Sequence, residues 1–323
     1  VIRPFDWRDL MLLHRVRKHG ICLDAQMGFT RGPNTLWNAL MEIVPTGRSV
    51  CTLVYRPEDK HERAAIGQIS HRPDEPHARV AFIGPAGALS SDNSIHLLDA
   101  LVEAAGVSGA HHLIAEVKEE SRAFENLRRA GFSIFARQRI WRLNENLDEG
   151  GDAAKDTWRG IRDDDHPAVQ MLYHSLVPPL VQQIEPPPSN QRGCLVHCRD
   201  GEMLGYLQVL SGPLGTWAQP FLHPAVEASE YLLRKAISQS LKDGTRPLSV
   251  CVRSYHGWMN AILERVGFDL WQDQAVMVKH LAATVRKPAL ARLRPLEGTR
   301  PEPTAPFVRI EDTKTGIRAH ENS

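Results

Sequence analysis

Four groups of side chains in this sequence have the types and spacing to do chemistry. Cys194-Leu195-Val196-His197-Cys198 puts two thiols and an imidazole close together, as a metal site would require. In an extended strand, however, Cys194 and Cys198 face one side and His197 the other, and zinc would need further ligands, so no metal is expected. His111-His112 offers a proton relay, and it reads equally as the solvated entry to a strand. Tyr255 beside His256, and Glu116 within the apolar run from His112 to Val117, can give up or take a proton. Each has a plainer reading, as a capping or partly buried aromatic for Tyr255 and as an outward strand carboxylate for Glu116. Apart from His111-His112 and Glu116, which share one apolar run, these groups are far apart in sequence, so joint chemistry among them depends on the elements that position them.

Those elements belong to a folded chain. With 42% hydrophobic and 24% charged residues among 323, it can bury enough apolar surface to offset chain entropy, and its length suits two domains of about 140 residues. Lys and Arg number 39 against 38 Asp and Glu, so no global basic field draws it to nucleic acid or to an anionic membrane. There is no apolar run of about 18 residues, and Val1-Ile2-Arg3-Pro4 lacks the layout of a signal peptide, so the expectation is a soluble, cytoplasmic protein. Five scattered cysteines argue against a disulfide framework and for a reducing compartment.

The chain repeats itself. Leu97-Leu98-Asp99-Ala100-Leu101, a Gly-bearing turn, an apolar strand, a helix and Arg129-Ala130-Gly131-Phe132 recur as Leu232-Leu233-Arg234-Lys235-Ala236, a turn at Asp243-Gly244, the strand Leu248 to Val252, a helix and Arg265-Val266-Gly267-Phe268. The offset stays near 136 residues, the mark of a duplicated unit. In front, Ile2-Arg3 and a helix to Lys18 match Ile161-Arg162 and a helix to Leu176, with Asp165 as N-cap and Pro167 in the first turn. Hairpins follow in both copies, the second turning at Asp200-Gly201. Each copy reads β-α-(α)-β-β-β-α-β-α-β-β, an α/β fold with a mixed, mostly antiparallel sheet flanked by helices. The boundaries are 1–143 for the first domain, 144–156 for a Gly- and Asp-rich linker, 157–282 for the second domain and 283–323 for a Pro- and Arg-rich extended tail.

The order Ala78-Arg79-Val80-Ala81-Phe82-Ile83-Gly84-Pro85, the Leu97-Leu98 helix, Gly131-Phe132 and Arg137-Gln138-Arg139-Ile140-Trp141 resembles the Gcn5-related N-acetyltransferase superfamily. The second copy is similar in Leu263 to Phe268 and Gln274 to Lys279. The resemblance implies that two central strands of each copy splay apart, that the pantetheine arm of acetyl-CoA adds to the exposed strand edge, and that its pyrophosphate rests on amides at the next helix start. It places this cofactor site at Ile83, Leu89, Asp92 and Ser94 in the first copy and at Leu222, Glu227 and Ser229 in the second. Where the family has Gly in the pyrophosphate loop, this chain has Asp92 and Glu227. A carboxylate that close to phosphate costs roughly 1 to 3 kcal/mol, a weakening on the order of ten- to a hundredfold. Where the family has its general-acid Tyr, this chain has Leu127 and Leu263, and its Asn is replaced by Glu120 and His256.

The resemblance leaves Tyr255, near the thiol position of the second copy, as the remaining acid, and Glu116, beside the first splay, as a base acting through water. The resulting expectation is a non-catalytic scaffold, binding or self-assembly protein, with an acetyl-CoA-dependent N-acetyltransferase acting on an amine as the alternative. A homo-oligomer is expected, with the tail docking on a neighbouring subunit. Trp217, Trp258 and Trp271 read as core or inter-domain packing.

Overall fold

A computed structural model describes residues 1–32, 49–57, 63–90, 94–143, 158–188, 193–226, 229–240 and 247–281. The linker, the tail, Asp92 and Glu227 lie outside these residues.

The first repeat supplies β1 (Ile2–Pro4), α1 (Leu10–Val16), β2 (Ile21–Cys22), α2 (Ala25–Thr30), β3 (Ser49–Tyr55), β4 (Ala65–His71), β5 (His77–Gly84), α3 (Ser94–Val107), β6 (His112–Val117), α4 (Arg122–Arg129) and β7 (Ser133–Leu143). The second supplies β8 (Arg159–Gly160), α5 (His166–Leu176), α6 (Pro179–Gln182), β9 (Leu195–Arg199), β10 (Glu202–Ser211), β11 (Thr216–Leu222), α7 (Ser229–Ser240), β12 (Leu248–Arg253), α8 (Met259–Val266) and β13 (Phe268–His280). Among the described residues, all the strands join one sheet in the order β1-β3-β4-β5-β6-β13-β7-β12-β11-β10-β9-β8, with β2 on β5. Among the described residues only β5–β6 and β11–β12 are parallel. The mixed α/β architecture with helices against the sheet is therefore present in both repeats.

The repeats are not closed separately. Each ends in one long strand, where the sequence reading has two. β13 of the second repeat inserts between β6 and β7 of the first, and β7 pairs on its other side with β12 of the second. Gln138 and Gln274 stand opposite each other at the centre of this exchange, flanked by Arg137 opposite Ala275 and Arg139 opposite Asp273. The physical reason is edge satisfaction: β6 and β12 each present a row of backbone groups, and the other repeat's long strand covers it.

The cores follow the exchange. Ala275 and Met277 of β13 pack with Leu97, Leu101, Leu113 and Leu127 of the first repeat. Trp141 of β7 packs with Leu232, Val250 and Leu263 of the second. On the other face of the sheet, Ile114, Ala136, Val276 and Val278 lie under α5 and α6, beside Tyr173, Tyr206 and Phe221. Residues Val1–Ala283 accordingly form one compact unit.

The front of each repeat is held the same way, although not in the register that Ile-Arg suggests. Arg3 grips Asp9 through an Nη2 hydrogen bond and an Nη1 ion-pair contact, and Arg159 grips Asp165 through two hydrogen bonds. Each Asp also accepts from the backbone N–H three residues before it, at Asp6 and at Arg162. Arg159, not Arg162, is thus the counterpart of Arg3. Asp165 closes the short turn Asp163–Asp165 rather than capping α5 with its side chain. Trp217 is buried, but Trp271 is exposed, with the Arg142 guanidinium stacked over its ring at 4.7 Å.

Candidate functional site

In the first repeat β5 and β6 run together from His77 opposite His112 to Arg79 opposite Ile114, then separate. The gap beyond is filled by the chain itself. Ile21 and Cys22 pair with Ile83 and Phe82 of β5, the Leu23 amide donates to the Ala81 carbonyl at 3.2 Å, and the Leu23 carbonyl accepts from the Glu116 amide at 2.8 Å. Gly20 leads into this segment because a Cβ there would stand 2.0 Å from the buried Phe82 ring and 2.9 Å from the Ile83 carbonyl oxygen. Asp24 then turns the chain into α2 by accepting from the Met27 amide. Leu89 is buried, and its carbonyl accepts from the Asn126 side chain. Ser94 opens α3, buried, with its hydroxyl unpaired among the described residues.

The second repeat has the same divergence without a bridging segment among the described residues. β11 and β12 pair from Thr216 opposite Leu248 to Ala218 opposite Val250. Farther along, the buried Phe221 ring meets the His256 ring edge-on at 5.9 Å. Leu222 is buried at the end of β11. Ahead of α7, the Ala225 N–H donates to His223 Nδ1 at 3.2 Å and the Val226 N–H to the His223 carbonyl at 3.0 Å. Ser229 begins α7 and is half-buried.

Glu116 and Tyr255, separated by the whole second front half, come into one electrostatic neighbourhood around a buried ion array. Arg79 on β5 donates to Glu116 and to Glu185, both at 3.2 Å, and Arg253 at the end of β12 donates to both Glu185 oxygens at 2.8 and 3.0 Å. Glu116 also accepts from the Ala25 amide at 2.7 Å, so its carboxyl closes the segment that fills the first gap. Burial holds the Glu116 carboxyl above its ordinary range against the pull of Arg79 and Arg253. For Glu185 burial acts the same way, but Arg253 and Arg79 outweigh it and the carboxyl sits low. Burial pushes the Tyr255 hydroxyl up, with Arg253 opposing, and lowers His256 to about 4 and, with help from Arg79, His77 to about 3. The imidazoles are neutral at pH 7. Leu127 and Leu263 are fully buried in the two cores.

Arg79, Glu185 and Arg253 are absent from the sequence-based candidates. Two of them carried a signal, a lone Arg beside or within an apolar strand; Glu185, in the Pro-rich stretch after α6, carried none. Cys194 and His197 are buried and Cys198 exposed, and no group of three or more metal-ligating side chains occurs among the described residues. No helix among them is long and apolar enough to cross a membrane.

No protein-family model matches the sequence, and no curated protein does. Solved structures do. A Gcn5-related N-acetyltransferase from Sphaerobacter thermophilus superposes with a TM-score of 0.55 at 12% identity, over 87% of this chain and 95% of the other. A tandem protein of the same fold from the clavulanic acid biosynthesis pathway gives 0.52 at 14% identity, over 87% and 98%. A putative acetyltransferase from Pyrococcus horikoshii gives 0.50 at 13%, over 88% and 90%. The chain therefore has the Gcn5-related N-acetyltransferase fold, twice in tandem.

Acetyl-CoA, the cofactor this fold implies, does not fit the first repeat. Its pantetheine arm would need the strand edge that Ile21, Cys22 and Leu23 already occupy. In the second repeat two amides of the corresponding loop, those of Ala225 and Val226, are turned to His223.

Proposed function

We propose that this protein is a non-catalytic scaffold or binding protein built on a tandem of the acetyltransferase fold, with its first repeat turned into a structural half. The observation that carries this reading is the bridging of β5 and β6 by Leu23, whose amide and carbonyl take the hydrogen bonds a cofactor would need. Leu127 and Leu263 support it, since a fully buried Leu supplies no proton at the position of the fold's acid. Isothermal calorimetry tests it: no heat of binding with millimolar acetyl-CoA is expected, and micromolar binding overturns it.

Acyl transfer to an amine is a second reading, favoured by one observation. Tyr255 follows the end of β12 with a protonated hydroxyl, on the side of the sheet where α5 and α6 pack. Release of free thiol from acetyl-CoA in the presence of polyamines and amino acids, dependent on Tyr255, would establish it. Self-association through residues 283–323 is proposed separately; size-exclusion chromatography of the chain with and without them tests it, and an unchanged elution profile counts against it.

A further inference from the structure

We propose that His112 and His280 form a two-imidazole chelate for a divalent late transition-metal ion, where β6 begins and β13 ends. The site is independent of the acetyl-CoA question, since the pair lies at the opposite end of β6 from Glu116 and the filled gap.

The two residues are direct partners in the β6–β13 ladder. Their rings stand edge to face, with centroids 4.9 Å apart and planes at 86°, and their Nδ1 atoms are 3.1 Å apart. Between neutral rings that contact is a hydrogen bond, in which one Nδ1 carries a proton and the other accepts it. Two imidazoles on one ion at about 2.0–2.1 Å place their nitrogens roughly 2.9 to 3.4 Å apart for angles of about 90 to 110°. The pair therefore has the spacing of a chelate before any ion arrives, and the ion takes the place of the shared proton. That proton passes through solvent to Nε2 of its own ring, which leaves both rings neutral and both Nδ1 lone pairs facing the metal.

The backbone around the pair is fixed. The Pro76 carbonyl accepts from the His111 and His112 amides at 2.8 and 3.3 Å, and the Leu281 amide donates to the His111 carbonyl at 2.9 Å, one step past His280. Ligands on paired strands are held more exactly than ligands on loops. Burial, with the neighbouring His280 and His111 rings, holds the His112 imidazole below its ordinary range, so it is neutral at pH 7 and able to ligate. His280 is exposed, and an ion reaches the pair from solvent. His77, opposite His112 on β5, completes a row of three histidines, but it is buried and its Nε2 faces Glu75 at 3.5 Å.

The donor set selects the ion. Imidazole nitrogen suits Cu2+, Ni2+ and Zn2+, whereas Mg2+ and Ca2+ require oxygen. No third His, Cys, Asp or Glu joins the pair among the described residues, so water fills the remaining positions and the affinity is micromolar, below that of a four-ligand site.

The test is calorimetry of the full-length, untagged protein, stripped with EDTA and titrated with NiCl2 near pH 7, with MgCl2 as control. One Ni2+ bound per chain at micromolar affinity is expected, weakening as the pH falls because protons compete for the same nitrogens, and Mg2+ should give no heat. His280→Ala, which removes an exposed side chain, and His112→Ala should each weaken Ni2+ binding by about tenfold or more. His14→Ala removes an exposed imidazole elsewhere and should leave it unchanged. Substoichiometric Cu2+ added to the 15N-labelled wild type should broaden the amide signals of Leu113 and Leu281 first. The proposal fails if the wild type binds no Ni2+ up to millimolar metal, if His280→Ala binds it as tightly as the wild type, or if Cu2+ first broadens amides remote from His112 and His280. The wild-type broadening decides the matter even where His112→Ala does not fold.

Discussion

Gln138 and Gln274, 136 residues apart, hydrogen-bond side chain to side chain at 2.7 Å in the middle of the sheet and face each other in the β7–β13 ladder. Their separation equals the repeat offset, so the contact joins the same residue of two duplicated units about a local two-fold axis. It is also buried, with Cys251 Sγ donating to the Gln138 oxygen at 3.3 Å.

Replacing one partner strands the other. Gln138→Leu or Gln274→Leu alone should lower stability by about 1 to 3 kcal/mol, since a buried amide loses its partner. The double substitution should cost less than the sum of the singles, because it removes both polar groups together. A double-mutant cycle in urea measures the coupling, and strict additivity would show that the pair does not interact.

The duplication itself was legible, because the Leu-Leu helix, the apolar strand and the Gly-Phe turn recur at constant spacing. The exchange of β7 and β13 was not, since period-two alternation says which face of a strand is buried and nothing about which neighbour it pairs with. The closed first cleft was equally hidden. Ile21-Cys22-Leu23 is too short to show a period, and its role follows from a long-range meeting with Ala81 and Glu116. Arg79 and Arg253 were visible as charges beside apolar runs, whereas Glu185 acquires its meaning only when α6 brings it to Arg253. At the front, the repeated Ile-Arg pair misled: what the fold keeps is an Arg six residues before an Asp.

The closing segment should resist exchange. The amides of Leu23 and Glu116, both hydrogen-bonded across the gap, should be among the slowly exchanging protons of the first repeat. Leu23→Pro removes the donor to Ala81 and should destabilise the protein by about 1 to 3 kcal/mol while exposing the Glu116 amide to exchange. Hydrogen–deuterium exchange reads this directly, and an unprotected Glu116 amide in the unmodified protein would mean that the gap is open.

Gly20→Ala addresses the same segment sterically. The new methyl group would collide with the Phe82 ring and with the Ile83 carbonyl, and the second contact involves backbone that cannot turn aside. A loss of about 1 to 3 kcal/mol is expected from overpacking. Thermal unfolding measures it, and an unchanged Tm would place Gly20 away from Phe82.

The acid limb of stability should carry the signature of Asp9 and Asp165. Burial alone would raise Asp9, but Arg3 and Arg56 outweigh it, while Arg159 pulls Asp165 down against burial. Both carboxyls thus ionise at lower pH when folded than the roughly 3.9 of an unfolded aspartate. The stability they contribute is present above about pH 4 and is lost as the pH falls through their folded values, because the unfolded chain then takes up protons first. Asp9→Asn and Asp165→Asn should each lower stability at pH 7 and flatten its fall below about pH 4. Urea titrations at several pH values test this, and a slope unchanged by both substitutions would show that these carboxyls do not carry it.

Strand exchange makes the two repeats mutually dependent, and cutting the chain shows how strongly. A protease site placed in the linker between Leu143 and Trp158 would sever the covalent link without touching either long strand. β13 would still lie between β6 and β7, with Ala275 and Met277 inside the first core, and Trp141 would still sit in the second. Separating the halves would expose the edges of β6 and β12 and open both cores, which is costly in water. The cleaved protein should therefore elute as one particle of unchanged size, and the fragments should part only in denaturant. Either fragment expressed alone should aggregate or pair with itself through the uncovered edges, and co-expression should restore the complex. Two soluble, independently folded monomers after cleavage would contradict the exchange, because each repeat would then have to cover its own sheet.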